Sequence, residues 1–247
     1  MELLAGCGRD RQSNIRLPDA WPAPEVAAAA AALFLPLFLT ERFMQLIGML
    51  DSPYVRRVAI SLKLFGLPFE HRPVSVFRHF DQFRQINPLV KAPTLVCDDG
   101  EVLMDSTLIL DYLEALAPAG RRLMPSEGAS RRQTLQLLGI ALTACDKTVQ
   151  AVYERQQRPP EKLHQPWLDR IQLQLDAAYA ELERAIQRAR PWLLGGRLTQ
   201  ADVSVAVAWR FTQYYLADLI PADRYPLLSA WSARAESLSE FIATPLD

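Results

Sequence analysis

The chain has 247 residues, half of them hydrophobic and 22% charged, with a formal net charge of -1. That mix excludes a wholly disordered chain, a collagen-like repeat and a small disulfide scaffold, and the length admits one large domain or two small ones. A near-neutral charge supplies no positive field for a phosphate backbone, so nucleic acid is not an expected partner. Cys7, Cys97 and Cys145 stand far apart with no CxxC pair. This fits a reducing compartment better than a disulfide framework or a zinc site.

Residues 1–43 read differently from the rest. Arg9, Arg11 and Arg16 precede an apolar run, Val26 to Leu39, broken by Pro36. The run falls short of the ~20 residues of a membrane span. It resembles a secretory h-region, but no small-x-small cleavage site follows. The preferred expectation is that Met44 is the natural start and that 1–43 is an extension outside the fold. A targeting or membrane-anchoring segment and an extra packed helix, Val26 to Phe34, are the alternatives.

From Met44 onward the pattern organises. Gln45 to Leu50 is a buried-strand candidate. Asp51-Ser52-Pro53 follows, with two capping residue types and a proline suited to the first helical turn. Val55, Val58, Ala59, Leu62 and Phe65 then recur at helical spacing until Gly66 stops the helix. Phe69 to Val74 is a second strand, which makes a βαβ unit. Phe80 to Ile86 is a short helix or turn before Asn87-Pro88. Pro93–Cys97 and Glu101–Met104 are strands joined by the hairpin turn Asp98-Asp99-Gly100. Ser106 is expected to cap a helix carrying Leu108, Ile109, Tyr112, Leu113 and Leu116.

Pro118, Gly120, Pro125 and Gly128 mark a linker. Beyond it the strand patterns stop. Arg131–Gln157 and Leu163–Arg190 are long 3.6-period segments separated by Pro159-Pro160. Thr199 and Asp202 form an acidic capping box for a helix running through Trp209 to about Leu216. A last helix spans Pro226 to Leu238. The expected division is 44–118 for an α/β domain, 119–128 for the linker and 129–247 for an all-α helical bundle.

Three stretches together resemble the glutathione S-transferase family. They are Ser52-Pro-Tyr-Val-Arg56; Phe83–Pro88 with Val90-Lys91-Ala92-Pro93-Thr94-Leu95, Asp99-Gly100, Asp105-Ser106, Ile109 and Tyr112-Leu113-Glu114; and Leu198-Thr199-Gln-Ala-Asp202. The likeness runs from Met44 to the end. It implies a thioredoxin-like N-terminal domain, an α-helical C-terminal domain, a cytoplasmic homodimer, glutathione as cosubstrate and a small hydrophobic electrophile as its partner. No metal and no membrane attachment are expected.

The resemblance makes Ser52 the catalytic candidate. Its hydroxyl would meet the glutathione sulfur at the positive end of the first helix. A free thiol has a pKa of about 8.5, and lowering it by about two units takes about 2.7 kcal/mol. A hydroxyl hydrogen bond to a charged sulfur offers roughly 1.5–3 kcal/mol and a helix terminus roughly 0.3–1. The two suffice without a general base. The plain alternative is an ordinary helix cap.

Ala92-Pro93 resembles the family's cis-proline turn, which would offer the Ala92 backbone to the cysteinyl part of glutathione like an added strand. Most family members carry Val where Ala92 stands. Asp105-Ser106 resembles the γ-glutamyl grip, with Ser106 for the carboxylate and Asp105 for the ammonium. Lys91 would meet the glycine carboxylate. Thr199 and Asp202 are expected to be structural. Tyr54, Tyr153, Trp209 and Phe211 are candidates for the acceptor pocket or for core. Arg56 and Arg57 are expected on a solvated helix face or in linker contacts.

Ser52-Pro53-Tyr54-Val55 carries no sulfur, so a disulfide cycle cannot run there. Cys97 and Cys145 are expected to be inert core. His71, His79 and His164 show no metal spacing, and no phosphate-binding glycine motif is present. The same thiolate chemistry would serve isomerisation, dehalogenation or peroxide reduction. A non-catalytic binding or regulatory protein is the rival from another class.

Overall fold

The computed structural model describes residues 43–126 and 128–246. The expectations for 1–42, Cys7 among them, lie outside the described residues.

Four short strands form one sheet in the order β2-β1-β3-β4. β1 (Met44–Ile47) runs parallel to β2 (Phe69–Arg72) and antiparallel to β3 (Thr94–Val96), which pairs antiparallel with β4 (Val102–Met104). Alternate residues of a strand face opposite sides, and both sides are covered. Leu46 and Leu95 are register partners and belong to the main core. Ile47 points the other way, into a small cluster with Val74 and Phe83.

Gly48 ends β1 earlier than the apolar run suggests, with φ 138. A Cβ there would stand 2.6 Å from Val55 Cγ2 and 3.2 Å from the Cβ of Ala92. The absent side chain therefore lets the strand end, the following helix and the Ala92 loop converge. α1 (Pro53–Phe65) starts with Pro53 in its first turn and ends at Gly66, whose left-handed φ of 72 closes it. There the N–H groups of Gly66 and Leu67 donate to the carbonyls of Lys63 and Leu62, the expected glycine stop. α2 (Phe80–Ile86) and α3 (Ser106–Leu116) complete this half.

The second half is helical. α4 (Gly128–Gln157), α5 (Gln165–Ile186), α6 (Gln200–Leu216) and α7 (Pro226–Glu236) are followed by the short α8 (Ser239–Ile242). The helix expected from Pro226 to about Leu238 ends at Glu236, and the short α8 after it was not expected. Every residue from Gln200 to Trp209 is buried, which marks α6 as the central helix. It packs on α4, α7 and α1. Asp202 anchors its start, as expected. The carboxylate accepts from the Thr199 N–H at 2.8 Å, the Thr199 hydroxyl at 2.7 Å and the Leu193 N–H at 2.8 Å. One hydrophobic core runs from Leu46 through α1 and α6 to Phe241, so the α/β and helical halves share their interior. Among the described residues no helix is long and apolar enough to cross a membrane.

Candidate active site

A cleft of about 680 Å³ opens where the end of β1, the start of α1, the loop before β3 and the start of α3 face α4 and α6. Ser52, Lys91, Ala92, Pro93, Asp105 and Ser106 all line it. These six come from three separate stretches of sequence, and the sheet topology brings them together.

Ser52 occupies the N-cap of α1 with extended φ/ψ of -75 and 123, yet its side chain makes no capping hydrogen bond. An ordinary cap serine spends its hydroxyl on the N–H two or three residues on. Here the hydroxyl is left for the cleft. The first N–H groups of α1 have no intrahelical partner, so the Ser52 side chain and a donor-rich helix end occupy the same place.

The loop carrying the next three residues is pinned from behind. Asn87 Nδ2 donates to Thr94 Oγ1 at 2.9 Å, and Thr94 Oγ1 donates to the Lys91 carbonyl at 2.8 Å. Asn87 and Thr94 are buried. The Ala92-Pro93 bond is cis, as expected, and Val90 just before it has φ 47. A β-branched residue in the left-handed region is strained, and such strain gathers at functional sites.

Asp105 shares that left-handed backbone, with φ 67 and ψ 122. This corrects one expectation. Ser106 does not cap α3; it is already the first helical residue, and the cap is Asp105, whose carboxylate accepts from the Thr107 N–H at 2.8 Å. The Ser106 hydroxyl is free of that duty. It accepts instead from Arg57 Nη1 at 3.0 Å.

Arg57 and its neighbour Arg56 correct a second expectation. Neither is solvated: Arg56 is 1% exposed and Arg57 2%. Arg56 pairs with Glu236 and donates to the Thr244 carbonyl at 2.8 Å, tying α1 to the C-terminal helices. Arg57 lies beneath the Asp105-Ser106 corner, and burial lowers its guanidinium to about 10.

The rest of the cleft lining is rich in aromatic side chains. Tyr54, Tyr153 and Phe211 belong to it, as do Phe77 and Tyr215, which the sequence reading missed. Phe77 meets Tyr153 edge-on at 5.5 Å, and Phe211 meets Tyr215 at 5.1 Å. Tyr215 continues the α6 face of Phe211 one turn on, so helical spacing could have found it. Phe77 sits in a loop with no periodicity to mark it. Trp209 faces the other way, packed in the core edge-on to Tyr179 and Tyr225, so it does not line the pocket. The Tyr215 hydroxyl lies 3.4 Å from an Asp51 carboxylate oxygen. Burial, with the Asp51 charge second, pushes the Tyr215 phenol up to about 12 and raises Tyr153 too.

Cys97 follows β3 and Cys145 sits within α4; both are buried and free. Neither lines the cleft.

Comparison with known proteins agrees with this arrangement. Residues 46–122 match the family described as glutathione S-transferase, N-terminal domain, and residues 165–234 the family described as glutathione S-transferase, C-terminal domain. The chain is 30% identical over 201 residues to glutathione S-transferase theta-3 of Mus musculus, covering 76% of this chain and 80% of that one. It is 28% identical over 183 residues to maleylacetoacetate isomerase of Pseudomonas aeruginosa, covering 71% and 80%. A crystal structure of a glutathione transferase family member from Pseudomonas fluorescens Pf-5, with bound glutathione, superposes with a TM-score of 0.73 at 32% identity, covering 83% of this chain and 99% of that one. The chain belongs to the glutathione S-transferase family.

Proposed function

We propose that the protein is a glutathione transferase in which Ser52 holds the tripeptide's sulfur as a thiolate for attack on a small hydrophobic electrophile. The coarser part of this reading, a glutathione-dependent enzyme, rests on family membership and on relatives that include a transferase, an isomerase and a structure with glutathione bound. The observation that carries the finer part is the Ser52 hydroxyl. It stands at the N-cap of α1 in the cleft without spending its hydrogen bond on the helix.

The other residues take roles that their chemistry allows. Ser106, buried at a helix start, suits the γ-glutamyl carboxylate. Asp105 offers negative charge for the γ-glutamyl ammonium, and Lys91 offers positive charge for the glycine carboxylate. The Ala92 backbone suits the cysteinyl unit as an added strand would. Electrophile specificity falls to Phe77, Val149, Val152, Tyr153, Phe211 and Tyr215. Away from Lys91 and Asp105, the charged residues described in the cleft wall are the carboxylates Asp51 and Asp146. An uncharged electrophile suits that wall better than a dianionic acid.

The test is Ser52→Ala. Loss of one hydrogen bond to a charged sulfur should slow conjugation of an activated aryl halide roughly 10–150-fold. Glutathione uptake measured by calorimetry should persist. Unchanged turnover would remove Ser52 from the chemistry, and binding without turnover across a broad panel of electrophiles in the unmodified protein would favour a binding module.

A further inference from the structure

The cleft carries a carboxylate that the proposed glutathione contacts do not use. Asp51 immediately precedes Ser52 and lines the cleft. Its Oδ2 lies 3.4 Å from the Tyr215 hydroxyl of α6. Burial and, after it, the Asp51 charge raise the Tyr153 phenol of α4. Asp51 thus bears on both helices that supply the proposed electrophile pocket. Each of these tyrosines belongs to an aromatic corner: Tyr153 meets Phe77 at an interplanar angle of 78°, and Tyr215 meets Phe211 at 64°. Phe77 and Tyr153 are left 56% and 45% exposed. Ring faces are negative, and rings set steeply to one another beside a carboxylate attract an organic cation. The other carboxylate of this part, Asp146, has Lys147 at 3.1 Å and the Gln150 amide at 2.8 Å. Lys91, the one cation among the described lining residues, stands on the Ala92 loop.

We infer that the favoured electrophile is an organic cation, a hydrophobic body bearing a quaternary or protonated nitrogen, and that Asp51 with Phe77, Tyr153, Phe211 and Tyr215 selects it. The inference rests on the proposed glutathione reading of the cleft and deepens it by naming the substrate's charge. A carboxylate has about four lone-pair sites, and 3.4 Å is long for a phenol donor, so the Tyr215 contact does not use up the Asp51 charge. A glutathione sulfur held at Ser52 as thiolate is a second negative centre beside it. A cation lowers the energy of both centres, a neutral molecule of neither, and an anion is repelled by both. The chemistry stays an ordinary displacement. The sulfur bonds to the ring carbon of an aryl halide, the halide leaves with the bonding pair, and the charged nitrogen passes unchanged into the thioether.

The experiment uses three probes with one reacting ring: chlorodinitrobenzyl-trimethylammonium, its neutral isostere in which carbon replaces the ammonium nitrogen, and anionic chlorodinitrobenzoate. For each, kcat/KM with saturating glutathione is divided by the rate of the uncatalysed reaction, which removes intrinsic reactivity. Glutathione uptake is measured in parallel by calorimetry. The unmodified protein should favour the cation over its neutral isostere roughly 10–100-fold, with the anion slowest. Asp51→Asn should cut the cation-to-neutral ratio about tenfold. Tyr153→Leu, which keeps the carboxylate and removes one ring, should cut it roughly 2–5-fold. Glu181→Gln changes the net charge equally on an exposed part of α5 outside the cleft and should leave the ratio alone. A protein that takes up glutathione and turns over the neutral probe with no preference for the cation overturns the inference while the glutathione reading stands. So does a preference that both Asp51→Asn and Tyr153→Leu leave intact. An unmodified protein that takes up no glutathione overturns both.

Discussion

Arg56 and Glu236 meet in a two-pronged pair, Nη1 to Oε1 at 2.7 Å and Nη2 to Oε2 at 2.6 Å, across 180 residues of sequence. It joins the first helix of the α/β half to the end of α7. Arg56 is almost fully buried, whereas the Glu236 side chain is 23% exposed. Removing the carboxylate therefore strands the buried charge. Glu236→Ala should lose about 3 kcal/mol, read as a lower urea midpoint with unchanged slope. The double substitution Arg56→Met with Glu236→Leu should recover part of that loss, because the stranded charge is gone.

Gly48 holds the site together by having no side chain. Gly48→Ala forces an L residue to φ 138 and sets a methyl against Val55 and Ala92. Stability should fall by about 2 kcal/mol. KM for glutathione should rise as well, since the Ala92 loop must move. Steady-state kinetics beside a melting curve separates the two effects. Unaltered KM would show that the loop position does not depend on this contact.

Cys145 provides the pH dependence. Burial pushes its thiol up to about 12, against a smaller opposing pull from Arg57. The folded state thus keeps a proton that the unfolded thiol releases near pH 8.5. Above that pH the unfolded chain binds fewer protons, so the contribution to stability declines as pH rises toward the folded value. Cys145→Ala should flatten the fall in urea midpoint above pH 8.5. In the native protein at pH 8, Cys145 should resist iodoacetamide and label only on unfolding, as peptide mass mapping would register.

Much of this architecture was legible because it is written locally. Helical spacing marked α1, α4, α5 and α6, and Gly66 and the Thr199–Asp202 pair marked their ends. The residues of the cleft were legible through family resemblance, since nothing local connects Ser52 with Lys91 or Ser106. What escaped was long-range or conformational. Arg56 and Arg57 read as surface because a helical window cannot see Glu236 or Ser106. Ser106 read as the cap because hydroxyl and carboxylate residues are interchangeable in sequence. Only the backbone of Asp105, at φ 67, decides which of them stands outside the helix. Trp209 and Phe211 share a helix, and their opposite destinations depend on what packs on each side. Phe77 became visible only once the loop after β2 was set against α4.

The central claim concerns one proton, and the most direct measurement is the titration of bound glutathione followed by thiolate ultraviolet absorbance. A Ser52 hydroxyl donating to sulfur at the start of α1 should bring the thiol pKa to about 6.5, two units below the free value. Ser52→Ala should return it most of the way. A bound thiol that still titrates near 8.5, or one that Ser52→Ala leaves unmoved, would contradict the account.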